Sequence, residues 1–143
     1  MPAGTQPIYV SRPKVYWSNT ITAANITKDL TSGTLNPPIF QANTSNGSFV
    51  DHIRARSVGT NVASVARIFL NNGGNTAQMN NGIANNAMIT EISLPVTNIS
   101  ETGAQPDVIL PLKMALQAGY NVHVTLGTAV AGGWVFTGFG GDY

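Results

Sequence analysis

Few side chains in this sequence could take part in acid–base or nucleophilic chemistry. The chain has two histidines, His52 and His123, and no cysteine. A hydroxyl nucleophile needs a base and an orienting group, and neither histidine lies in a motif such as G-x-S-x-G. Both histidines fall on the polar side of strand-like segments. We therefore predict no catalytic residue.

The acidic residues do not form a recognisable metal or glycosidase site. They are Asp29, Asp51, Glu91, Glu101, Asp107 and Asp142, and no two of them are close in sequence. Asp51 directly precedes His52, so in a strand the two side chains point to opposite faces. The glycines of GTAVAGGW (127–134) lack the lysine and hydroxyl residue of a P-loop. We expect no metal, no cofactor and no small-molecule substrate.

Arg54 and Arg56 are the most suggestive charged pair, because alternation in a strand places them on the same face. Arg67 could lie on a neighbouring strand. The pair could be a fork for carboxylates or carbonyls of a neighbouring polypeptide, or a solvated outer face. With 9% charged residues and a net charge of +1, the chain lacks the basic patch of a nucleic-acid-binding protein.

The aromatic residues allow two interpretations. Trp17, Trp134, Phe136 and Phe139 could stack on a sugar, or they could fill the core of a small β-domain. Sugar stacking would make the protein a carbohydrate-binding module. The core interpretation is the more common one for aromatic residues in strands.

Composition and patterning indicate an all-β fold. Hydrophobic residues make up 43% of the chain, and its polarity comes mainly from Asn, Thr and Ser. Asn, Gly and Pro favour turns, and Thr favours strands. Strand-like segments occupy residues 15–17, 39–42, 49–58, 62–70, 87–94, 108–112, 120–126 and 134–139. Several short strands at this spacing predict a two-sheet antiparallel sandwich, jelly-roll-like rather than immunoglobulin-like.

The domain organisation is an extended N-terminal arm, residues 1–14, followed by one domain, residues 15–143. Three prolines in the arm favour extended backbone, and deleting the arm should weaken association without unfolding the domain. Residues 49–58 and 62–70 are predicted to pair as a hairpin around Gly59-Thr60-Asn61. The long loops 71–86 and 95–106 are predicted contact surfaces.

Low surface charge is unusual for a free monomer and favours a subunit packed against neighbours. The predicted interface residues lie in the arm, in the arginine pair and in the first long loop. They are Pro2, Pro7, Tyr9, Pro13, Arg54, Arg56, Asn72 and Asn81. Neither a secretory signal nor an apolar membrane span is recognisable, so we expect assembly in a cytoplasm and no membrane partner.

Three segments of the chain carry a resemblance. They are IRARSVGTNVASVARIFLNNG (53–73), EISLP (91–95) and LPLKMALQAGYNVHVTLGTAVAGGWVFTGFGGDY (110–143). Together they resemble a family of short proteins encoded among the virion genes of tailed bacteriophages. The resemblance covers roughly residues 49–143 and brings no catalytic residues.

The resemblance implies a β-sandwich structural subunit of a virion. Combined with the low charge, it leads us to expect a non-enzymatic capsid decoration, or cement, protein on the capsid surface. Its expected partners are the major capsid protein and copies of itself, as a homotrimer. The alternatives are a tail, neck or fibre component and the carbohydrate-binding module.

Overall fold

The computed structural model describes residues 10–28, 30, 33, 36–73 and 85–143. They form eight strands: β1 (Arg12–Trp17), β2 (Phe40–Gln41), β3 (Ser48–Ser57), β4 (Ser64–Asn71), β5 (Asn86–Leu94), β6 (Asp107–Leu116), β7 (Asn121–Leu126) and β8 (Trp134–Asp142). The described part of the chain contains no α-helix. The prediction of an all-β fold is therefore confirmed.

The strands form two antiparallel four-stranded sheets that pack face to face. The front sheet has the order β1-β8-β3-β6, and the back sheet has the order β2-β7-β4-β5. The first strand pairs with the last, the second with the seventh, the third with the sixth and the fourth with the fifth. This is a long hairpin rolled into a barrel-like sandwich, the jelly-roll topology.

The predicted hairpin between residues 49–58 and 62–70 is wrong. Strand β3 lies in the front sheet and β4 in the back sheet, so residues 58–63 cross from one sheet to the other. Alternation identified both strands correctly, but it does not report whether two consecutive strands pair or face each other. Asn61 is buried in this crossing and does not form the tip of a turn.

The core fills the space between the sheets. Its largest fully buried side chains include Trp134 and Phe136 from β8, Phe40 from β2, Ile68 from β4 and Val124 from β7. Each occupies one of the alternate positions of its strand that face the core. Trp134 and Phe136 are thus core residues, and for them the sugar-stacking alternative is wrong.

Part of the outer side of the back sheet is covered by the chain itself. The described residues of 18–39, here called the covering segment, pair with β8 at Ile21 and with β7 at Ala24 and then cross this side on the way to β2. The Asn25 N–H donates to the Leu126 carbonyl (2.8 Å), and Leu30 packs on Phe69, both fully buried. All six residues of β7 are buried as a result.

Strand β1 begins three residues earlier than expected. Arg12 pairs with Asp142, so residues 12–14 belong to the front sheet although they were assigned to the arm. Pro13 is tolerated because β1 is an edge strand, where a missing N–H costs no ladder bond. Residues 1–9 lie outside the described part of the chain, so a deletion that tests the arm must stop before Arg12.

Candidate functional site

Three polar side chains of the front sheet, Asp51, His52 and Lys113, contact one another. Asp51 sits at a β-bulge, where the register of β3 shifts against both neighbouring strands. Its carboxylate contacts the His52 Nδ1 (2.6 Å) and the Lys113 Nζ. The Lys113 and His52 hydrogen bonds lower the Asp51 pKa below its ordinary value of 3.8. A carboxylate held ionised in this way is a weak proton acceptor.

The second histidine is a structural residue under the covering segment. His123 is 2% exposed, and its Nδ1 lies 3.2 Å from the Asn36 carbonyl oxygen. Burial lowers the His123 pKa below its ordinary value of 6.5, only partly opposed by the bond to Asn36. The neutral ring is therefore the form that fits the folded protein.

This burial predicts that the protein loses stability in mild acid. The unfolded chain binds the proton near pH 6.5 while folded His123 stays neutral, so the free energy of unfolding falls as pH drops below that value. The slope is at most about 1.4 kcal/mol per pH unit. Urea unfolding between pH 7.5 and 5.5 measures it. His123→Asn should flatten the slope, whereas an unchanged slope would contradict this assignment.

The front face, the outward side of the front sheet, carries exposed side chains, whereas every residue of β7 in the back sheet is buried. It consists of Pro13, Val15 and Trp17 on β1, Val135, Thr137 and Phe139 on β8, Phe49, His52, Arg54 and Arg56 on β3, and Asp107, Ile109 and Pro111 on β6. Three of the predicted interface residues, Pro13, Arg54 and Arg56, thus share one surface.

Large apolar side chains are exposed to solvent on the front face. Trp17 is 70% exposed, Ile109 52% and Val15 47%. The strand register places Trp17 and Ile109 at the same level of the sheet, at its two edges, with Thr137 and Arg54 between them. For Trp17 the expectation of a core position is wrong, because its parity on β1 directs it away from the core.

Two arginines and one carboxylate lie at one end of the front face and pair with each other. Arg54 donates two hydrogen bonds to the Asp107 carboxylate, at 2.8 and 2.7 Å. This bidentate contact lowers the pKa of Asp107. Arg56 lies 3.9 Å from the same carboxylate and has the more available donors. Arg67 is not part of this group, because it lies on β4 and pairs with Glu91 (2.8 Å).

A second surface lies at one end of the sandwich and is organised by Asn61. The Asn61 Nδ2 contacts the Gly59 carbonyl, the Thr97 hydroxyl and the Gly133 carbonyl, each at 3.1 Å. Its Oδ1 accepts from the Gly132 and Gly133 N–H groups at 2.9 and 2.7 Å. One buried side chain therefore ties together the β3–β4, β5–β6 and β7–β8 connections.

These three connections, residues 58–63, 95–106 and 127–133, are here called the loop end. Four aliphatic side chains project from it: Val58, Val62, Val96 and Ile99, which are 51–60% exposed. Asn61 and Thr97 pair through their backbones, which places Val62 beside Val96. Glu101 is the only charged residue in the three connections. The result is an apolar surface on a hydrogen-bonded base.

The remaining predicted interface residues lie elsewhere. Asn72 is exposed at the start of the β4–β5 connection, where its N–H donates to the Asn85 carbonyl (3.0 Å). Pro2, Pro7, Tyr9 and Asn81 lie outside the described residues. Sequence reasoning missed the exposure of Trp17 and the aliphatic cluster of the loop end, although it named loop 95–106 as a contact surface. The outward parity of Val15 and Trp17 was the available signal.

The front face and the loop end are the candidate functional surfaces of the protein. Within the described ranges, no group of three His, Asp or Glu residues could hold a metal ion, and no helix is long and apolar enough to cross a membrane. No protein-family model, no curated protein and no solved structure matches the chain.

Proposed function

We propose that the chain is a non-enzymatic structural subunit of a bacteriophage virion that decorates the capsid, with the loop end binding the major capsid protein. The observation that carries this proposal is the loop end itself. Its four aliphatic side chains are exposed, and they lie on connections that the hydrogen bonds of Asn61 hold in place. A surface that is ordered before binding loses little conformational entropy when a partner covers it.

Charge supports a protein lattice as the partner rather than a nucleic acid. The loop end has one charged residue, Glu101, among its three connections. Binding to a polyanion depends on lysines and arginines at the contact, which this surface lacks. Burial of aliphatic groups contributes roughly 25 cal/mol per Å², so an apolar patch on a capsid protein is the matching surface.

The virion assignment rests on the resemblance of residues 53–73, 91–95 and 110–143 to the phage family named above. The jelly roll is compatible with it, although a fold alone does not define a function. Decoration would stabilise the capsid by mass action, because a ligand that binds only the assembled lattice shifts the equilibrium toward it.

The test is a double variant of the loop end. Val62→Ser/Val96→Ser should weaken binding to undecorated capsids about tenfold or more, because two aliphatic contacts are lost. Co-sedimentation with capsids measures the occupancy. Met88→Ser, an exposed apolar change on the back sheet, is the matched control and should bind like the wild type. Full occupancy by the double variant, with its melting temperature unchanged, would contradict the proposal.

A further inference from the structure

We propose that the front face is a two-fold contact between two copies of this chain. Trp17, Val15 and Ile109 are exposed there. Four strands of up to ten residues span roughly 600 Å² in projection. That is close to the ~800 Å² of accessible surface that each partner buries in a standard interface. Two sheets also pack well face to face when their strands are nearly aligned.

The charges on β3 select the direction of the two-fold axis. An axis in the plane of the contact and perpendicular to the strands would place each strand against its own copy. If such an axis crosses β3 at the level of Arg54 or Arg56, these arginines meet the arginines of the second copy, and like charges at a contact are costly. An axis parallel to the strands places β3 against β8, so the arginines meet Thr137 and Val135, which carry no charge.

The same axis places the edge strands β1 and β6 against each other. Trp17 then lies opposite Ile109 of the second copy, and Val15 lies opposite Pro111, because each pair shares one level of the sheet. Both contacts occur twice, as a two-fold interface requires. Tryptophan is among the residues enriched at the energetic hot spots of protein interfaces.

Taken together with the proposed function, on which this step rests, the two-fold contact changes how the protein would attach to a capsid. An axis parallel to the strands leaves both loop ends pointing the same way. The pair would therefore present two lattice-binding surfaces side by side, and the second attachment would gain from effective concentration. A two-fold contact closes with two copies, so the inferred assembly is a dimer instead of the trimer expected from the sequence.

The first test is the oligomeric state in solution. Sedimentation equilibrium should show a dimer for the wild type. Trp17→Ser should raise the dissociation constant about thirtyfold or more, and it should fold normally because the side chain is 70% exposed. Val62→Ser, at the loop end, is the control and should remain dimeric. A monomeric wild type, or a Trp17→Ser variant that dimerises equally well, would overturn the inference.

The second test fixes the geometry and uses the absence of cysteine from the chain. Val15→Cys and Pro111→Cys variants, mixed and treated with a short bismaleimide, should give a cross-linked dimer. Val15→Cys alone should not, because the two copies of this residue would lie at opposite edges of the contact, about three strand spacings apart. Efficient cross-linking of Val15→Cys alone would overturn the proposed axis. No capsid is present, so this result is independent of the lattice proposal.

Discussion

Asn61→Ala is expected to lower the free energy of unfolding by about 3–4 kcal/mol. The substitution removes the Asn61 acceptor of the buried Gly133 N–H. It also removes one bond each from the Gly132 N–H and the Gly133 carbonyl, which keep backbone bonds to Thr60 and Val58. A lost bond whose partner stays satisfied contributes about 0.5–1.5 kcal/mol. A buried polar group left without any hydrogen bond costs about 1–3 kcal/mol. The corresponding fall in melting temperature is roughly 10 °C for a domain of this size. Urea unfolding and thermal melts measure the effect.

Asn98→Ala is the matched control for this prediction. Asn98 lies in the β5–β6 connection, close to the same end of the sandwich, but it is exposed. Exposed substitutions of this kind change stability by about 0.5 kcal/mol or less. Equal stabilities for the Asn61 and Asn98 variants would show that the buried amide does not hold the loop end together.

Gly140→Ala is expected to destabilise the protein by about 2–3 kcal/mol. A Cβ at this position would collide with the Phe49 carbonyl oxygen and lie 3.0 Å from the buried Phe40 ring. The carbonyl belongs to the neighbouring strand β3, which cannot move without disturbing the front sheet. Overpacking a well-packed core typically costs about 1–3 kcal/mol, and backbone contact places this site at the upper end.

Gly103→Ala separates this collision from the general effect of removing a glycine. The nearest atoms to a Cβ at Gly103 are those of Ser100, at 3.6 Å and beyond. No collision is therefore expected at Gly103. Alanine lowers the conformational entropy of the unfolded chain relative to glycine, which favours the folded state slightly. Denaturant unfolding compares the two variants. Equal stability of Gly140→Ala and Gly103→Ala would contradict the predicted collision between a Cβ at Gly140 and strand β3.

Alternation along the chain was sufficient to predict most of the strands and the class of fold. Residues 49–58 and 120–126, for instance, alternate clearly and form β3 and β7. The pairing of β3 was not predictable in the same way. A short polar connection such as Gly59-Thr60-Asn61 fits both a hairpin and a crossing between sheets, and the choice depends on strands far away in sequence.

The two surfaces depend on contacts that local patterns do not contain. Asn61 acts through partners 36 and 72 residues further along the chain. The covering segment lies over part of the back sheet, where Leu30 packs on Phe69, whereas the front face keeps exposed side chains. Neither sheet carries a pattern that indicates which one will be covered. The alternation of Val15 and Trp17 shows that they share one face of β1, but the solvent exposure of that face follows only from the three-dimensional structure.

Several motifs behind the phage resemblance have a structural explanation in this fold. In GTN and GGW, Gly59 and Gly132 approach so closely that a Cβ on either would collide with the other's backbone. In GGDY, Gly141 lies directly under Val10 and Arg12. These motifs hold the loop end and the β1–β8 pair in place. They specify an architecture, which is consistent with a chain whose proposed role is to bind other polypeptides.

The most direct measurement of the central proposal is the amount of this protein in purified phage particles, by quantitative mass spectrometry. A capsid decoration protein should be present in proportion to the major capsid protein and should be lost from particles when the loop end carries Val62→Ser/Val96→Ser. A handful of copies per particle would indicate a tail, neck or fibre component instead. Complete absence from mature particles would contradict a virion role altogether.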